Sequence, residues 1–571
     1  MPRYRKTDAL YAVTAFTSFA EMLDRNAAAY PHLPALADLT PTPVPKLTHA
    51  ELRSAVLAFS AALRALDVRE GEHIAVLSEN RVQWCVAYLA AISMNCVAVP
   101  IDRNLRENEV VSILHASGSR AAVFSEAYRD MFEGFRATLP ELSLLVDMDL
   151  PVKRGAVESM PALLAAHTTE AGAVFPPARP DALAVLVYTS GSMGSAKGVM
   201  LSQANICANL VAMRSMIEIP PSDRFLSVLP IHHTYECTCG FLCPISSGAS
   251  TTFARSLKTV ADDIRTVRPT VLLGVPLLYE KMYRRIVQGI AEKKLAALLV
   301  RPLSTVAGML ESLGAGPLRK KIFHEIHERF GGAIRMFIVG GAAPDPAVAA
   351  GFRSFGFTFV QGYGLTETSP IVALNRLGNT RDDAAGLPLP NLDVRIEAPD
   401  DDGRGEILVR GPSVMMGYYK NDEATRAAID SEGWFRTGDF GSIDADGFLH
   451  INGRKKNVII AKNGKNVFPE ELEEQVNRMP CVLESFVYAD TSKGDEHIAV
   501  RIVPNAEHFI ELAHKTGGEV TRAIIEETIN NEIRGLNKRL PVYKQIRRVT
   551  IQDTEFEKTT TQKIKRYLVG R

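Results

Sequence analysis

The sequence predicts an α/β protein built around largely parallel sheets. Short runs of β-branched and aliphatic residues alternate with amphipathic segments of helical length, an order typical of parallel sheets covered by helices on both faces. Several of the strand-like runs end in glycine or proline, where binding loops leave the carboxyl edge of an open sheet. A chain of 571 residues is too long for one hydrophobic core, so two to four folding bodies are expected.

The first half of the chain carries the clearest alternation of helices and strands. Helical periodicity is found at Ala50–Leu66 and again at Val82–Met94. Period-two or continuously apolar runs predict strands at His73–Leu77, Val97–Ile101, Ala182–Tyr188, Thr270–Gly274, Arg335–Val339 and Phe357–Val360.

The pattern changes to short, tightly connected strands from Asp393. The strands Asp393–Ile396 and Glu406–Arg410 flank the acidic turn Asp400–Gly403, which is typical of a hairpin in a small barrel. A domain break is predicted close to Gly453–Asn457, where this pattern ends.

A separate α+β module is predicted after Arg454. Proline at Pro469, followed by acidic residues, is typical of the first turn of a helix. Two strands, at Glu484–Tyr488 and Ile498–Ile502, and a helix across Val520–Arg534 complete the module.

Composition narrows the class of protein. Lysine plus arginine equals aspartate plus glutamate, 65 against 65, which argues against a nucleic-acid binder with a global basic field. No apolar run reaches the roughly 18–20 residues needed to span a bilayer, and the N-terminus lacks the apolar region of a signal peptide. Seven cysteines, an odd number, suit a reducing compartment, so a cytoplasmic protein is expected. The spacing of Cys237, Cys239 and Cys243 fits no common zinc pattern and favours buried thiols.

A hydroxyl- and glycine-rich segment follows the strand Ala182–Tyr188. It reads Thr189-Ser-Gly-Ser-Met-Gly-Ser-Ala-Lys197-Gly198, and we predict a loop along its whole length. Glycines let several backbone N–H groups face one anion, hydroxyls add donors, and lysine supplies a cation. The segment is not a Walker A loop, because Lys197 is not followed by serine or threonine. It favours polyphosphate binding, with a Gly/Ser linker as the alternative.

Four further motifs follow this loop in order. They read Gln361-Gly-Tyr-Gly-Leu-Thr-Glu367-Thr, Gly433-Trp-Phe-Arg-Thr-Gly-Asp439, Asn452-Gly-Arg454-Lys-Lys456-Asn-Val-Ile-Ile and Lys558-Thr-Thr-Thr-Gln-Lys563-Ile-Lys-Arg. In this order the five motifs resemble the adenylate-forming superfamily of acyl- and aryl-CoA synthetases, firefly luciferase and the adenylation domains of nonribosomal peptide synthetases. The resemblance extends over nearly the whole chain, from Phe19 to Val569.

The resemblance implies a division into two domains. Residues 1–453 would form a large N-terminal domain of two mostly parallel α/β sheet subdomains plus a small β-barrel. Residues 454–571 would form a small mobile α+β domain that turns about a hinge near Lys456. ATP, Mg²⁺ and CoA are the implied cofactors and co-substrates.

The same resemblance assigns the phosphate and metal residues. The phosphates of ATP would be held by Thr189, Ser190, Gly191, Ser192, Gly194 and Lys197. Glu367 is implied as the carboxylate ligand of Mg²⁺, with Thr189 as a second oxygen ligand and the Thr366 hydroxyl near the phosphates.

Nucleoside recognition is implied at three further places. The adenine slot would form from two segments, Gly340-Gly341-Ala342 and Gln361-Gly362-Tyr363, because small residues admit a flat base and Tyr363 can stack on it. Asp439 would accept the ribose hydroxyls, and Arg454 would reach the same sugar or the phosphate.

Lys563 is the implied catalytic lysine of adenylation. A cation that bridges the carboxylate and the α-phosphate stabilises charge that develops in the transition state. Gln562 stands where a glycine is usual, and Lys558 and Lys565 are alternatives in the same basic run. For thioester formation the small domain would rotate about Lys456, withdraw Lys563 and bring in the loop that contains Gly464.

The segment Leu229-Pro-Ile-His-His233-Thr-Tyr-Glu236 resembles the substrate-side motif of the superfamily. His233 occupies the aromatic or histidine position, and a glutamate three residues later is typical of synthetases for medium- to long-chain fatty acids. Thr234 stands where amino-acid-activating relatives carry an aspartate. The apolar, small-residue segment Cys237–Ile245 suits an alkyl chain.

The sequence therefore predicts an AMP-forming acid–thiol ligase, an ATP-dependent fatty acyl-CoA synthetase for medium- to long-chain acids. Peripheral membrane contact would give it access to its substrate, and no nucleic-acid partner is expected. The alternatives are an aryl-CoA ligase, an acyl-AMP ligase that loads a separate carrier protein, and an inactive lipid-binding scaffold. Retention of all five charged residues, Lys197, Glu367, Asp439, Arg454 and Lys563, argues against the scaffold.

Overall fold

The computed structural model describes residues 7–40, 46–136, 138–167, 173–189, 197–291, 302–310, 317–461, 465–490, 497–558 and 564–569. The chain forms two compact units. The larger unit comprises residues 1–394, 409–435 and 445–449, and the smaller unit comprises residues 395–408, 436–444 and 450–571. Among the described residues, no helix combines the length and the apolar character needed to cross a membrane.

The first sheet of the larger unit has eight strands. In spatial order they are Gly417–Tyr418, Lys197–Ser202, Leu183–Thr189, Val97–Pro100, His73–Leu77, Ala121–Phe124, Leu144–Asp147 and Val157–Ser159. The six strands from Leu183–Thr189 onward pair in parallel, whereas the first two add to the edge in antiparallel register. The parallel strands are buried on both faces, which explains their continuous apolar sequences.

The second sheet of the larger unit has nine strands. In spatial order they are Leu387–Pro388, Ile371–Leu374, Thr358–Gly364, Met336–Val339, Val271–Gly274, Arg224–Ser227, Ser250–Phe253, Pro34–Asp38 and Lys46–Thr48. Its six central strands are parallel, and its edges are antiparallel.

Helices cover these two sheets. Thr48 begins one of them with a capping box, in which its hydroxyl accepts from the Glu51 N–H while the Glu51 carboxylate accepts from the Thr48 N–H. The helices are Phe19–Ala29, His49–Ala65, Val82–Ser93, Glu107–Ser117, Arg129–Phe135, Met160–Ala166, Gln203–Met216, Cys243–Ser246, Val260–Val267, Pro276–Ala291, 302–310, Leu318–Ile322, His324–Arg329, Pro346–Ser354 and Asp422–Ala428. A π-helix spans Tyr235–Leu242, and 3₁₀ turns span Glu126–Tyr128 and Thr366–Thr368.

The smaller unit is built from short sheets and a few helices. Its sheets contain the strands Val482–Asp490, His497–Pro504 and Arg548–Ile551, and the pair Ile459–Ile460 with Asn466–Val467. Its helices are Pro469–Asn477, Ala506–Thr516, Arg522–Asn537 and Arg566–Val569, with 3₁₀ turns at Lys455–Asn457 and Val542–Lys544. An apolar cluster that includes Val467, Val500 and Ile529 forms its core.

A four-stranded sheet contains most of the remaining residues of the smaller unit. Its strands, in spatial order, are Asp393–Glu397, Gly405–Arg410, Phe435–Ile443 and Leu449–Arg454. The first two correspond to the strands Asp393–Ile396 and Glu406–Arg410 that the sequence predicts for a small barrel.

The predicted fold class, α/β with mostly parallel sheets, is confirmed. One prediction is wrong. Lys197 and Gly198 were assigned to the phosphate loop, but they begin the strand Lys197–Ser202, because this segment pairs with Leu183–Thr189 as an antiparallel hairpin. The domain boundary at residues 453 and 454 stays a prediction.

All seven cysteines are buried free thiols. Cys237 and Cys239 lie in the π-helix, and Cys243 begins the helix that follows it. Burial raises the pKa of each of the seven thiols above its ordinary value.

Candidate active site

Thr189 and Lys197 face each other in an antiparallel hairpin of the larger unit, at the end where the chain passes from one strand to the next. Thr189 ends one strand, Lys197 begins the next, and the two residues are cross-strand partners. The Thr189 hydroxyl donates to the Lys197 carbonyl at 3.5 Å. Ser190, Gly191, Ser192 and Gly194, predicted to bind phosphate, lie outside the described residues. The hairpin therefore fixes the position of both ends of the predicted phosphate segment.

Glu367 lies in a tight turn after the strand Thr358–Gly364. The turn brings the chain back on itself, and the Leu365 N–H donates to the Pro370 carbonyl at 3.0 Å. A Cβ at position 364 would lie 2.1 Å from the same Pro370 oxygen, so this approach of two backbone segments requires glycine. The turn presents the Glu367 side chain half-buried, with neighbours from a different part of the chain.

Tyr418 joins these two predicted site residues. Its hydroxyl donates to Glu367 Oε1 at 3.0 Å, and Lys197 Nζ lies 4.8 Å from the centroid of its ring. The structure thus brings the predicted phosphate lysine and the predicted metal carboxylate onto one side chain. A cleft of about 300 Å³ lies on the Lys197 side of Tyr418, and both residues line it together with Tyr188 and Lys420.

The histidine motif lies near the Thr-Glu turn in the larger unit. The Thr234 hydroxyl donates to the Thr366 hydroxyl at 3.4 Å, which links the two motifs directly. The His232 and His233 rings lie 4.5 Å apart, and His232 Nε2 is 3.4 Å from Asp102 Oδ2. His233, predicted to face the substrate, is half-buried.

Glu236 is an acidic side chain inside the apolar core of the larger unit. It is 1% exposed, and neither carboxylate oxygen has a hydrogen-bond partner within the described part of the chain. Burial raises its pKa to about 8. Gly240, one turn later on the π-helix, makes room for it, since a Cβ there would lie 2.4 Å from Glu236 Oε1.

The two segments predicted to form the adenine slot lie at the carboxyl-terminal ends of two neighbouring strands of the nine-stranded sheet. Val339 and Gln361 are register partners on neighbouring parallel strands. Gly341–Ala342 follow the carboxyl end of the first strand, and Gly362–Tyr363 belong to the last residues of the second. The Gln361 side chain is buried, and its Oε1 has no hydrogen-bond partner among the residues that the structure describes. A Cβ at Gly340 would lie 2.7 Å from the Tyr235 ring, so glycine is required for this packing.

Asp439 and Arg454 form an ion pair in the smaller unit. Arg454 Nε lies 2.9 Å from Asp439 Oδ1, and the Asp439 residue is 5% exposed. Thr437 supports both residues, because its hydroxyl accepts from the Asp439 N–H at 3.0 Å and its carbonyl accepts from Arg454 at 3.4 Å. The two residues predicted to bind ribose are therefore adjacent and oriented by one neighbour.

Lys456 lies in the 3₁₀ turn Lys455–Asn457, at the predicted hinge. Burial, and after it the charge of Arg454, lowers the pKa of its ammonium group. Lys563 and Gly464 lie outside the described residues. Of the described residues that follow Lys563, Ile564 forms a bridge with Lys558, and Arg566 pairs with Glu473.

The sequence reasoning missed Tyr418. A signal was present, since two tyrosines stand together after Gly417 and directly before a polar segment, but nothing local connects them to Lys197 or Glu367.

Comparison with known proteins places the chain among adenylating enzymes. Residues 23–419 match the family described as AMP-binding enzyme. The chain is similar to a long-chain-fatty-acid–CoA ligase of Mycobacterium bovis, at 29% identity over 557 residues, covering 92% of this chain and 90% of that protein. It is also similar to a chloroplastic long-chain-fatty-acid–[acyl-carrier-protein] ligase of Arabidopsis thaliana, at 28% identity, covering 87% and 77% of the two chains.

The fold has a close counterpart among solved structures. The crystal structure of an anthranilate CoA ligase in complex with anthranoyl-AMP superimposes with a TM-score of 0.77 at 21% sequence identity. The superposition covers 98% of this chain and 97% of that one. This likeness concerns the fold.

Proposed function

Because the chain belongs to the family of AMP-binding enzymes, we propose that it is an AMP-forming acid–thiol ligase that converts a medium- to long-chain fatty acid into its CoA thioester. The observation that carries the proposal is the convergence of Lys197 and Glu367, from separate motifs, on Tyr418. The two residues place a cation and a carboxylate against one side chain, next to a hydroxyl- and glycine-rich segment. This combination suits a nucleoside triphosphate and its metal ion.

The first half-reaction joins the acid to AMP. A carboxylate oxygen of the fatty acid attacks the α-phosphorus of ATP, the bond to the β-phosphate oxygen breaks, and pyrophosphate leaves. Lys197 binds the phosphates, the segments Gly340–Ala342 and Gln361–Tyr363 bind adenine, and Asp439 with Arg454 binds the ribose. Lys563 supplies the cation that stabilises charge developing between the carboxylate and the α-phosphate.

The residues at Glu367 fit a magnesium ion. Glu367 Oε1 accepts from Tyr418, and its Oε2 has no hydrogen-bond partner among the described residues, so one carboxylate oxygen is left for a cation. Mg²⁺ prefers oxygen ligands and binds proteins through one or two carboxylates together with substrate phosphates. Thr189 would contribute a hydroxyl. When bound, the ion would neutralise phosphate charge.

The second half-reaction transfers the acyl group to a thiol. The thiol of CoA loses its proton, the sulfur attacks the acyl carbonyl carbon, and AMP leaves. We propose that Lys456 is the hinge for the change between the two half-reactions and that the segment around Gly464 serves the second. His233 and the apolar segment after it would face the acyl chain.

Two features support a fatty acid over other acids. Relatives that cover most of the chain are named as long-chain-fatty-acid ligases, and the segment after His233 is apolar and rich in small residues. Each methylene that an alkyl chain buries contributes roughly 0.8 kcal/mol to binding. The likeness to a carrier-protein ligase favours one second candidate, in which the acyl group passes to the thiol of a separate carrier protein.

The test is pyrophosphate release with ATP and Mg²⁺ across fatty acids of increasing length, each with and without CoA. We expect release to rise with chain length and to match CoA consumption one to one. Pyrophosphate release without CoA consumption, together with transfer of the acyl group to an added acyl carrier protein, would favour the second candidate. Release with benzoate-type acids alone would contradict the fatty acid assignment.

A further inference from the structure

We propose that Tyr418 is a positioning residue that keeps Lys197 and Glu367 close together but unpaired, so that each stays available to the nucleotide and its metal ion. The proposal rests on the proposed function, since it explains how the same site is kept ready for a charged substrate. It assigns Tyr418 no contact with the substrate.

Tyr418 contacts the two charged side chains through different parts of itself. Its hydroxyl donates to one oxygen of Glu367 at 3.0 Å. The face of its ring is turned to the Lys197 ammonium, 4.8 Å from the ring centroid, in a cation–π contact. Tyr418 is 8% exposed, so both contacts are made by a largely buried side chain.

The two charges that Tyr418 contacts do not neutralise each other. Among the described residues, Lys197 and Glu367 form no ion pair within 4 Å, although both lie against the same tyrosine. A direct pair would occupy the lysine that the phosphates need and the carboxylate that the cation needs. The tyrosine contacts both charges, and among the described residues it leaves Glu367 Oε2 without a hydrogen-bond partner.

The backbone holds Tyr418 to both segments that it serves. The two-residue strand Gly417–Tyr418 pairs with the strand that begins at Lys197, and the Tyr419 N–H donates to the Gly198 carbonyl at 2.8 Å. On the other side, the Met415 N–H donates to the Glu367 carbonyl at 2.8 Å. The five residues Met415–Tyr419 therefore connect the Lys197 strand to the Glu367 turn.

A helix behind this strand fixes the backbone of Tyr418. The Thr425 hydroxyl accepts from the Tyr418 N–H at 2.9 Å, and a Cβ at Gly417 would lie 2.7 Å from the Thr425 side chain. Gly417 also has a φ of +141°, which disfavours other residues. The backbone position from which the Tyr418 ring projects is therefore fixed on this side as well.

The experiment separates the two contacts of Tyr418 by substitution. Tyr418→Phe removes the hydroxyl and keeps the ring, so we expect the Mg²⁺ concentration for half-maximal pyrophosphate release to rise roughly tenfold, the size expected for one hydrogen bond to a charged group. The KM for ATP at saturating Mg²⁺ should change much less. Tyr418→Leu also removes the ring, so both the Mg²⁺ requirement and the KM for ATP should rise.

Tyr419→Phe is the matched control. Tyr419 is the next residue, and the Lys420 ammonium lies 4.9 Å from its ring centroid. Among the described residues, its hydroxyl forms no hydrogen bond with Lys197 or Glu367. We expect wild-type Mg²⁺ dependence and ATP KM for this variant. The Tm of each variant shows whether the substitution destabilises the whole fold. Wild-type Mg²⁺ dependence in Tyr418→Phe, or equal loss in Tyr418→Phe and Tyr419→Phe, would overturn the proposal.

A binding measurement distinguishes failure of this proposal from failure of the proposed function. Calorimetric titration with ATP, with and without Mg²⁺, needs no acid substrate and no turnover. Weaker Mg²⁺-dependent ATP binding in Tyr418→Phe would support the positioning role even if the wild-type protein turned over no fatty acid. A wild-type protein that binds no ATP in either condition would overturn both.

Discussion

Arg566 forms an ion pair with Glu473, which lies 93 residues earlier on the helix Pro469–Asn477. The Glu473 carboxylate also accepts from the Val487 N–H at 2.7 Å, and its side chain is 12% exposed. The Arg566 guanidinium lies 5.0 Å from the centroid of the Phe486 ring. The chain is thus fastened to the body of the smaller unit three residues after Lys563.

Weakening this attachment should affect adenylation selectively. Glu473→Gln keeps an acceptor for Val487 but removes the charge that pairs with Arg566, so we expect pyrophosphate release to fall about tenfold. Thioester formation from supplied acyl-adenylate should be nearly unchanged. Glu474→Gln, on the exposed side of the same helix, is the control. Equal loss of both half-reactions in Glu473→Gln would contradict an anchoring role.

Replacing the proposed catalytic lysine should give a larger and equally selective loss. Lys563→Ala removes a cation from the adenylation transition state, so we expect pyrophosphate release to fall on the order of 10²–10³-fold. Conversion of supplied acyl-adenylate and CoA to thioester should be spared. Lys565→Ala removes a lysine from the same basic run and should be close to wild type. If Lys565→Ala is the more damaged variant, the catalytic assignment belongs to Lys565.

The Asp439–Arg454 pair predicts a nucleotide-specific defect. Asp439→Asn weakens acceptance of ribose hydroxyls and loosens Arg454, so the KM for ATP should rise about tenfold or more. With 2′,3′-dideoxy-ATP the wild-type protein should lose the same interaction, and the difference between wild type and variant should shrink. A difference that stays constant between the two nucleotides would exclude a ribose contact.

Glu236 predicts a stability change with pH. Because burial raises its pKa from the ordinary 4.5 to about 8, the folded protein holds a proton that the unfolded chain releases above pH 4.5. Glu236 therefore destabilises the fold least below pH 4.5. Between pH 4.5 and pH 8 it lowers the free energy of unfolding by up to about 1.4 kcal/mol for each pH unit. Glu236→Gln should melt like wild type at pH 5 and at a higher temperature than wild type at pH 8. A difference in Tm that does not grow with pH would mean that Glu236 is not protonated in the folded protein.

Sequence reasoning located the central strands closely because each is a continuous buried apolar run. His73–Leu77 was predicted with its observed bounds, and the predicted strand Ala182–Tyr188 lies within one residue of Leu183–Thr189. Such runs carry their own signal, since both faces of a parallel sheet are buried.

The parts that were missed depend on contacts between distant segments. The strand Lys197–Ser202 is specified by pairing with its neighbour more than by its own sequence. Tyr418 acquires its place by contact with Glu367, 51 residues away, and Glu473 with Arg566, 93 residues away. Local periodicity carries no information about such pairs. The individual site assignments stay predictions that the variants above test.

The burial of all seven cysteines has a practical consequence for measuring this enzyme. A colorimetric disulfide reagent reacts with thiolates, and the native protein offers it almost none, because burial both shields these sulfurs and keeps them protonated. The colour developed during turnover would then report the CoA that remains, without a background from the catalyst. Adding denaturant at the end of the same assay should release seven further equivalents per chain, which gives the concentration of folded enzyme from one cuvette.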